Sequence, residues 1–156
     1  MTLRLVPTTL KDALAWCDEH HSHLPPPDGG MFASSVHDDT GLRVVAVLGR
    51  PKSRELQAQG CVEVVRVASD GVAEHAASMA LAAVVRAGRA LGWRRFVSYT
   101  LLGEAGTIYL ANAWRPVAIV KGREWDTPSR PRGAVAQSGD KVRWETYGHG
   151  VTSHAD

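Results

Sequence analysis

The chain has 156 residues, a net charge of +2 and a hydrophobic content of 44%, which suits one globular domain with a buried core. No apolar run reaches the roughly 18 residues of a membrane span, and the segment Met1–Pro7 lacks a signal-peptide core. Cys17 and Cys61 lie far apart without metal or redox spacing, which favours two free thiols in a reducing cytoplasm.

The first third of the chain predicts a helix and a β-hairpin. Thr8 or Thr9 can cap a helix that ends near His20. Its apolar residues recur at helical spacing: Leu10, Ala13, Leu14 and Cys17. The prolines and glycines of residues 20–30 exclude regular structure there. Residues 31–36 and 42–48 predict paired strands around a turn at residues 38–41, and a polar segment at 50–60 has room for a helical turn.

A central unit of strand, helix, strand and short helix follows. Residues 61–67 are rich in β-branched side chains and predict a strand. Ser69 or Asp70 can cap a helix over residues 72–91, and Gly92 stands where a glycine stop belongs. Residues 96–100 predict a second strand and residues 107–113 a short helix. A right-handed crossover makes the two strands parallel, so we expect a ligand site in this unit.

The C-terminal part predicts two more strands, at residues 116–121 and 142–147, around a basic loop that contains prolines. Residues 148–156 are expected to be a flexible tail. The predicted fold is therefore one domain over residues 1–147, a mixed α/β (α+β) sheet flanked by helices.

Two pieces of the central unit resemble the acyl-CoA-binding half of the GNAT acetyltransferase family. One is the strand at residues 62–67 with the small-residue helix that follows it. The other is Tyr109-Leu110-Ala111-Asn112-Ala113-Trp114, which is similar to the Tyr-x-x-x-Gly-Phe signature of that family. The resemblance implies the GNAT fold, with acetyl-CoA or another acyl-CoA as the cofactor.

The resemblance also implies a cofactor site at the start of the long helix. A pyrophosphate there meets free backbone N–H groups and the positive end of the helix dipole. The implied cofactor-binding residues are Val65, Arg66, Val67, His75, Ala76, Ala77, Ser78 and Asn112. The turn departs from the family pattern, because Ala73 stands at its basic position, Ala76 at its first glycine, and Glu74 adds a negative charge. A binding module without CoA chemistry is therefore the alternative.

The implied chemistry needs a neutral amine, a polarised thioester carbonyl and a proton for the departing thiolate. Tyr109 donates that proton if it matches the family's tyrosine; alternatively it anchors the core. Glu63 acts as a base through a water, or is a lone acid that faces solvent. Backbone N–H groups of residues 65–67 hold the carbonyl if their strand splays from the next one. Ser98 can hold substrate or cofactor.

A second resemblance covers most of the chain. The segment His20-His21-Ser22-His23-Leu24-Pro25 is similar to a His-Tyr-Ser-x-x-Leu-Pro stretch in Mom-like phage DNA-modification proteins, which are themselves GNAT-like. Further matches occur in the same order at residues 47–51, 63–67, 98–99 and 106–114. This resemblance implies an enzyme of bacteria or phage-infected cells that modifies an exocyclic amine, for example on a DNA base. A small amine or a protein amine is the alternative acceptor.

Histidines and a basic loop are the candidate substrate contacts. We expect His20 to act as a general base or to orient substrate, because it ends a helix beside a proline-stiffened loop. The histidines lack a carboxylate or cysteine at metal-site spacing, so no metal is assigned. The loop between Arg115 and Arg143 is basic and suits nucleic-acid contact, or is simply solvated. The predicted substrate or nucleic-acid contacts are His21, His23, Arg50, Arg123, Trp125, Arg130 and Arg132.

Overall fold

The computed structural model describes residues 2–20, 27–122 and 139–148. The helices in these ranges are α1 (Leu10–His20), α2 (Arg54–Ala58), α3 (Ala76–Ala90) and α4 (Thr107–Ala111). The strands are β1 (Arg4–Val6), β2 (Phe32–Asp38), β3 (Gly41–Gly49), β4 (Val62–Ser69), β5 (Arg95–Leu101), β6 (Arg115–Val120) and β7 (Lys141–Tyr147). None of the helices in these ranges combines the length and the apolar character of a bilayer-spanning helix.

The strands form one mixed sheet in the order β1-β2-β3-β4-β5-β7-β6. Neighbouring strands are antiparallel except β4 and β5, which are parallel. α3 supplies the connection between those two strands, as a parallel pair requires. The predicted mixed sheet with flanking helices and the parallel central pair are both confirmed.

The two faces of the sheet carry separate apolar clusters because successive side chains of a strand point to opposite faces. Val44, Ala46 and Leu48 of β3 pack in one cluster with residues of α3. Val45 and Val47 of the same strand pack in the other cluster, with Ala13 and Cys17 of α1. α3 and α1 therefore cover opposite faces of the sheet. Cys17 and Cys61 are both buried free thiols.

The first helix and the hairpin are confirmed near the predicted bounds. The Asp12 backbone N–H donates to Thr9 Oγ1 at 3.1 Å, so Thr9 caps α1. Strands β2 and β3 are joined at residues 38–41, where Asp38 Oδ1 accepts the Thr40 N–H at 2.8 Å and the Gly41 N–H at 3.2 Å. The strand β1 was not predicted. Its three residues carry no pattern of their own, and it exists only because β2 offers it an edge.

The predicted start of the long helix is wrong. α3 begins at Ala76, and its N-cap is His75, which makes no side-chain cap. The expected caps Ser69 and Asp70 instead close local turns, since their side chains accept the N–H groups of Gly71 and Val72 at 3.0 Å each. These side chains satisfy nearby backbone in a turn and so compete with helix initiation.

The predicted end of α3 is confirmed. Gly92 has a positive φ of 102°, a conformation that glycine adopts without a steric penalty. Its N–H donates to Arg89 O at 3.0 Å, and the Trp93 N–H donates to Gly88 O at 3.0 Å. These two bonds are the Schellman pattern of a helix C-terminus.

Candidate active site

An opening in the sheet lies between β4 and β5. The two strands pair only at their beginnings, where Val62 lies beside Phe96 and Glu63 beside Val97. β4 continues to Ser69 and β5 to Leu101, so the strands part beyond Glu63 and Val97. The splay on which the thioester-holding role of residues 65–67 depends is therefore present.

Each strand stays with a different neighbour, which explains the opening. β5 pairs with β7 along its whole length, from Arg95 to Leu101. β4 stays with β3, and the register of that pair shifts so that Val65 has no partner between Val64 and Arg66. Such a bulge bends a strand and increases its twist. β4 consequently turns away from β5 soon after the first two pairs.

Tyr109 reaches this opening from α4. Its hydroxyl lies 2.8 Å from Ser98 Oγ of β5, and Ser98 Oγ lies 2.9 Å from Val64 O of β4. The serine hydroxyl therefore bridges the two strands where they part, with the phenol attached to the bridge. Tyr109 is 7% exposed and belongs to the cluster on the α3 face of the sheet.

Two tryptophans hold the Tyr109 ring. Trp144 of β7 stacks on it with ring centroids 5.6 Å apart, and Trp114 meets it edge-on at 5.2 Å. Burial raises the pKa of Tyr109 to about 12. The phenol is therefore protonated at neutral pH. The core-anchor and proton-donor interpretations both agree with this position.

α4 can lie against Trp144 only because Gly106 precedes it. A Cβ on Gly106 would lie 2.3 Å from Trp144 Cζ2, and the glycine has a positive φ of 66°. The Trp144 indole N–H donates to Thr100 Oγ1 at 2.9 Å, which fixes its ring. Trp144 and the Val64 carbonyl were not among the predicted site residues. The alternation of β7 places Trp144 on the buried face, but no local pattern connects it with Tyr109.

Glu63 lies on the opposite face of the sheet from Tyr109. Its neighbours Val62 and Val64 both pack in the α3 cluster, so the side chain between them points the other way. Glu63 is 5% exposed, and the interpretation as a solvent-facing acid is wrong. Burial raises its pKa to about 6, while the Lys52 backbone N–H, 3.4 Å from Oε1, lowers it. The carboxylate is thus ionised at neutral pH but readily takes up a proton.

The start of α3 has no side-chain cap and is built from small residues. His75, which precedes it, has a positive φ of 66° and is exposed, as is Glu74. Ala76 is buried, and its N–H donates to Ala73 O at 3.4 Å. The first N–H groups of a helix have no partner within the helix, so they are available to an anion at this end.

Asn112 joins α4 to α3. Its side-chain Nδ2 donates to Ser78 O at 3.2 Å, to Ser78 Oγ at 3.0 Å and to Ile108 O at 2.8 Å. Its amide nitrogen is therefore engaged by the protein itself. The next residue, Ala113, has a positive φ of 60° and occupies the position of the glycine in the Tyr-x-x-x-Gly-Phe signature. This left-handed backbone explains why the family signature has glycine at the position, because the conformation is strained for alanine.

His20 lies at the end of α1, on the face that also carries Glu63. Its ring stacks on Trp16 with centroids 3.7 Å apart, and its Nδ1 lies 3.1 Å from Trp16 O. The Trp16 indole N–H donates to Ala68 O at 2.9 Å, which ties α1 to β4 beyond the bulge. On β4 itself, Val65 packs with the α1 cluster and Val67 with the α3 cluster.

Of the predicted substrate contacts, Arg50 is described, and it is an exposed residue directly after β3. The others lie outside the described residues: His21, His23, Arg123, Trp125, Arg130 and Arg132. Within the described ranges, no group of three or more histidine, cysteine or acidic side chains is placed to hold a metal ion.

Solved structures with the same architecture include acetyltransferases. Arabidopsis thaliana NAA60, in complex with a bisubstrate analogue, is 14% identical with a TM-score of 0.67, over 96% of this chain and 100% of that one. A Bacillus subtilis acetyltransferase in complex with CoA is 16% identical with a TM-score of 0.58, over 93% and 97%. A Desulfovibrio desulfuricans protein assigned to the acetyltransferases of the GNAT family is 14% identical with a TM-score of 0.63, over 94% and 99%.

No protein-family model and no curated protein matches the sequence. Sequence identities of this size support a shared fold and nothing more. The alignment spans nearly the whole chain, so it includes the splayed parallel pair of β4 and β5. The chain therefore has the fold of the GNAT N-acetyltransferases.

Proposed function

We propose that the chain is an acyl-CoA-dependent N-acyltransferase that modifies a primary or exocyclic amine. One observation carries this proposal: the opening between β4 and β5 has a protonated phenol on one face and a buried carboxylate on the other. A proton donor and a proton acceptor on opposite sides of one gap suit transfer of an acyl group from a thiol to an amine.

The residues at the start of α3 fit the pyrophosphate of CoA. The helix has 15 residues and no side-chain cap, so the first-turn N–H groups face no competing acceptor from a capping side chain. Ala76, Ala77 and Ser78 are small enough for a phosphate to approach the backbone. When bound, the cofactor supplies the activated acyl thioester. Residues 65–67 of the bulged strand β4 would lie along its acyl end.

Tyr109 would hold the proton for the departing thiolate. Its pKa of about 12 keeps the phenol protonated at neutral pH, so the oxygen carries a proton to donate. The hydrogen bond to Ser98 holds the phenol oxygen at the opening, so Tyr109 is already in the rotamer that the reaction needs. Tyr109 would supply this proton from its phenol oxygen at the opening.

Glu63 would accept the proton that the amine loses. Because its pKa is about 6, the carboxylate is ionised at neutral pH, and this pKa lies close to the pH at which a general base would work. Glu63 lies on the face of the sheet away from Tyr109, so the amine would approach from that side. The transfer would pass through a water.

The charge around Glu63 bears on the acceptor. The described cations whose charges act on this carboxylate are Lys52 and Lys141, and Arg50 lies close to Lys52 in the chain. Lysines near the carboxylate would disfavour a polyamine and suit an amine carried by a neutral or anionic molecule. We therefore propose an exocyclic amine of a DNA base as the acceptor, in line with the resemblance to the Mom-like proteins. A protein or small-molecule amine is the alternative.

Binding of acetyl-CoA separates the enzyme from a binding module without CoA chemistry. A ligand at 100 times its dissociation constant adds about 2.7 kcal/mol of stability, which a thermal-shift titration detects readily. Acetyl-CoA is expected to raise the melting temperature, and the pantetheine fragment without the nucleotide is expected to act more weakly. A melting temperature that does not change with acetyl-CoA would contradict the proposed transferase activity.

Nucleoside mass spectrometry tests the acceptor. DNA from cells that express the chain is compared with DNA from cells that express Tyr109→Phe at the same level. A modified nucleoside found only with the unaltered chain supports the DNA base. If acetyl-CoA binds but the nucleosides are unchanged in both cultures, the acceptor is a protein or a small molecule.

A further inference from the structure

A cavity of about 240 Å³ is lined mainly by residues of α3. Its lining consists of Ala82, Val85, Arg86, Arg89, Asn112, Trp114 and Thr146. Thr146 pairs with Phe96, which in turn pairs with Val62, so the cavity is at the end of the sheet where β4 and β5 are still joined. The cavity is therefore offset along the sheet from the opening, but it borders Asn112, which bonds to Ser78 of α3, and Trp114, which packs on Tyr109.

The charge of this cavity is one-sided. Two guanidinium groups, from Arg86 and Arg89, line it, and none of its described lining residues is acidic. Arg86 is exposed, and no ion pair of the described residues involves it. The cavity thus has a cationic side that an anionic group can neutralise.

Arg89 is held in place but incompletely satisfied. Its Nη2 donates to Tyr147 O at 2.5 Å and to Thr146 Oγ1 at 3.4 Å. Its Nε is buried without a hydrogen-bond partner among the described residues. An unpaired buried donor on a charged group costs free energy that an acceptor oxygen recovers. Because this Nε has no accessible surface, a carboxylate in the cavity would act on the charge of the Arg89 guanidinium rather than on this atom.

The remaining wall is part apolar and part polar, since Asn112 and Thr146 line it beside the apolar residues. Trp114 is 3% exposed, and Val85 and Ala82 add aliphatic surface. The volume is just below the roughly 300 Å³ at which pockets for drug-sized ligands begin, so a ligand with a single ring suits it. We infer that this cavity binds a small aromatic carboxylate, with its anionic group between Arg86 and Arg89 and its ring against the apolar part of the wall.

Binding in this cavity does not require the proposed acyl transfer. The lining nevertheless shares two residues with the candidate active site, Asn112 and Trp114, and the Trp114 indole packs edge-on against Tyr109. A ligand in the cavity would contact a residue that holds the Tyr109 ring.

Protein-observed ¹H–¹⁵N NMR of the full chain tests the inference, with benzoate as the anionic probe and benzamide as its neutral counterpart. We expect saturable shifts of the Trp114 indole N–H with benzoate, and binding of benzamide at least tenfold weaker. Arg86→Gln is expected to weaken benzoate at least tenfold, whereas Arg94→Gln, an exposed arginine outside the cavity, leaves it unchanged.

Filling the space provides a second variant. Ala82→Trp should abolish benzoate binding, and its dispersed spectrum would report that it folds. Should that variant unfold, the exposed Arg86→Gln still decides the matter. Equal binding of benzoate and benzamide, or benzoate binding that survives both variants, overturns the inference.

Discussion

The hydroxyl oxygens of Ser98 and Tyr109 lie 2.8 Å apart at the point where two strands of the sheet separate. The Val64 carbonyl, 2.9 Å from Ser98 Oγ, can only accept, so the serine donates its single proton there. Ser98 Oγ must then accept the proton of Tyr109. The direction of both bonds follows, and the phenol proton is committed to the serine until a stronger acceptor enters the opening.

Replacement of Tyr109 with phenylalanine should reduce turnover without weakening the cofactor. Loss of a general acid typically costs about 10²–10⁴ in rate, and here it leaves the start of α3 untouched. We expect kcat for acetyl transfer to fall by about 10² or more, with the Kd for acetyl-CoA within about twofold. Steady-state kinetics and calorimetry measure the two quantities.

Tyr147→Phe is the matched control for that change. It removes a phenol that donates to Glu145 Oε2 at the far end of β7, so turnover should remain that of the unaltered chain. Equal kcat values for Tyr109→Phe and Tyr147→Phe would leave Tyr109 as a core residue only.

Ser98→Ala should destabilise the fold. The change leaves the buried hydroxyl of Tyr109 and the Val64 carbonyl without this partner, and each unsatisfied group costs about 1–3 kcal/mol. Urea denaturation measures the loss. In the double variant with Tyr109→Phe the two losses should not add, with a coupling of about 0.5–3 kcal/mol. Strict additivity would contradict the hydrogen bond between the two side chains.

Glu63 should make both activity and stability depend on pH. Its folded-state pKa of about 6 lies above its ordinary 4.5, so the fold favours the protonated carboxyl. That contribution is fully present below about pH 4.5 and is lost as the pH rises through about 6, a change of about 2 kcal/mol. Relative to the unaltered chain, the Glu63→Gln variant should gain this amount of unfolding free energy as the pH rises across the same range.

The catalytic activity of the unaltered chain should increase with pH over this range, whereas its stability decreases. Because a base must be ionised, kcat/KM should rise with pH through about 6, and this limb should be missing from the residual activity of Glu63→Gln. Urea melts at pH 4.5 and 7.5 and a pH–rate profile measure the two effects. If the limb persists in the glutamine variant, another group is the base.

Ala113→Gly should stabilise the chain. Ala113 has a φ of 60°, where the Cβ of an L-residue meets the following carbonyl oxygen at a cost of roughly 1–2 kcal/mol. Part of that gain is offset by the greater freedom of glycine in the unfolded chain, which leaves about 0.5–1 kcal/mol. Thermal denaturation measures it, and a lowered melting temperature would contradict the left-handed conformation.

Gly106→Ala is the opposite change at a second left-handed position. A Cβ there would lie 2.3 Å from the Trp144 ring, so the alanine meets both backbone strain and a clash. We expect a loss of at least about 1–3 kcal/mol in urea denaturation. Gly71→Ala controls for backbone strain alone, since Gly71 has a φ of 78° and open space around its Cβ position. A loss no larger than that of Gly71→Ala would show that α4 does not depend on contact with Trp144.

Local patterns were sufficient for most of the elements. The capped start of α1 at Thr9, the turn after Asp38 and the glycine stop at Gly92 each depend on residues close together in the chain, and all are confirmed. The predicted start of α3 was wrong because Ser69 and Asp70 can either cap a helix or close a local turn, and the local sequence does not choose between the two.

Local patterns indicate which residues form strands and helices, and the resemblance to a known family singles out Tyr109, Ser98 and Glu63. Their relative placement depends on tertiary structure, which puts Glu63 on the opposite face of the sheet from Tyr109. The parting of β4 from β5 follows from a bulge at Val65 and from the full pairing of β5 with β7, and both are long-range pairings. Burial, which sets the pKa values of Glu63 and Tyr109, depends on neighbours that lie far away in the chain, so no local pattern contains it.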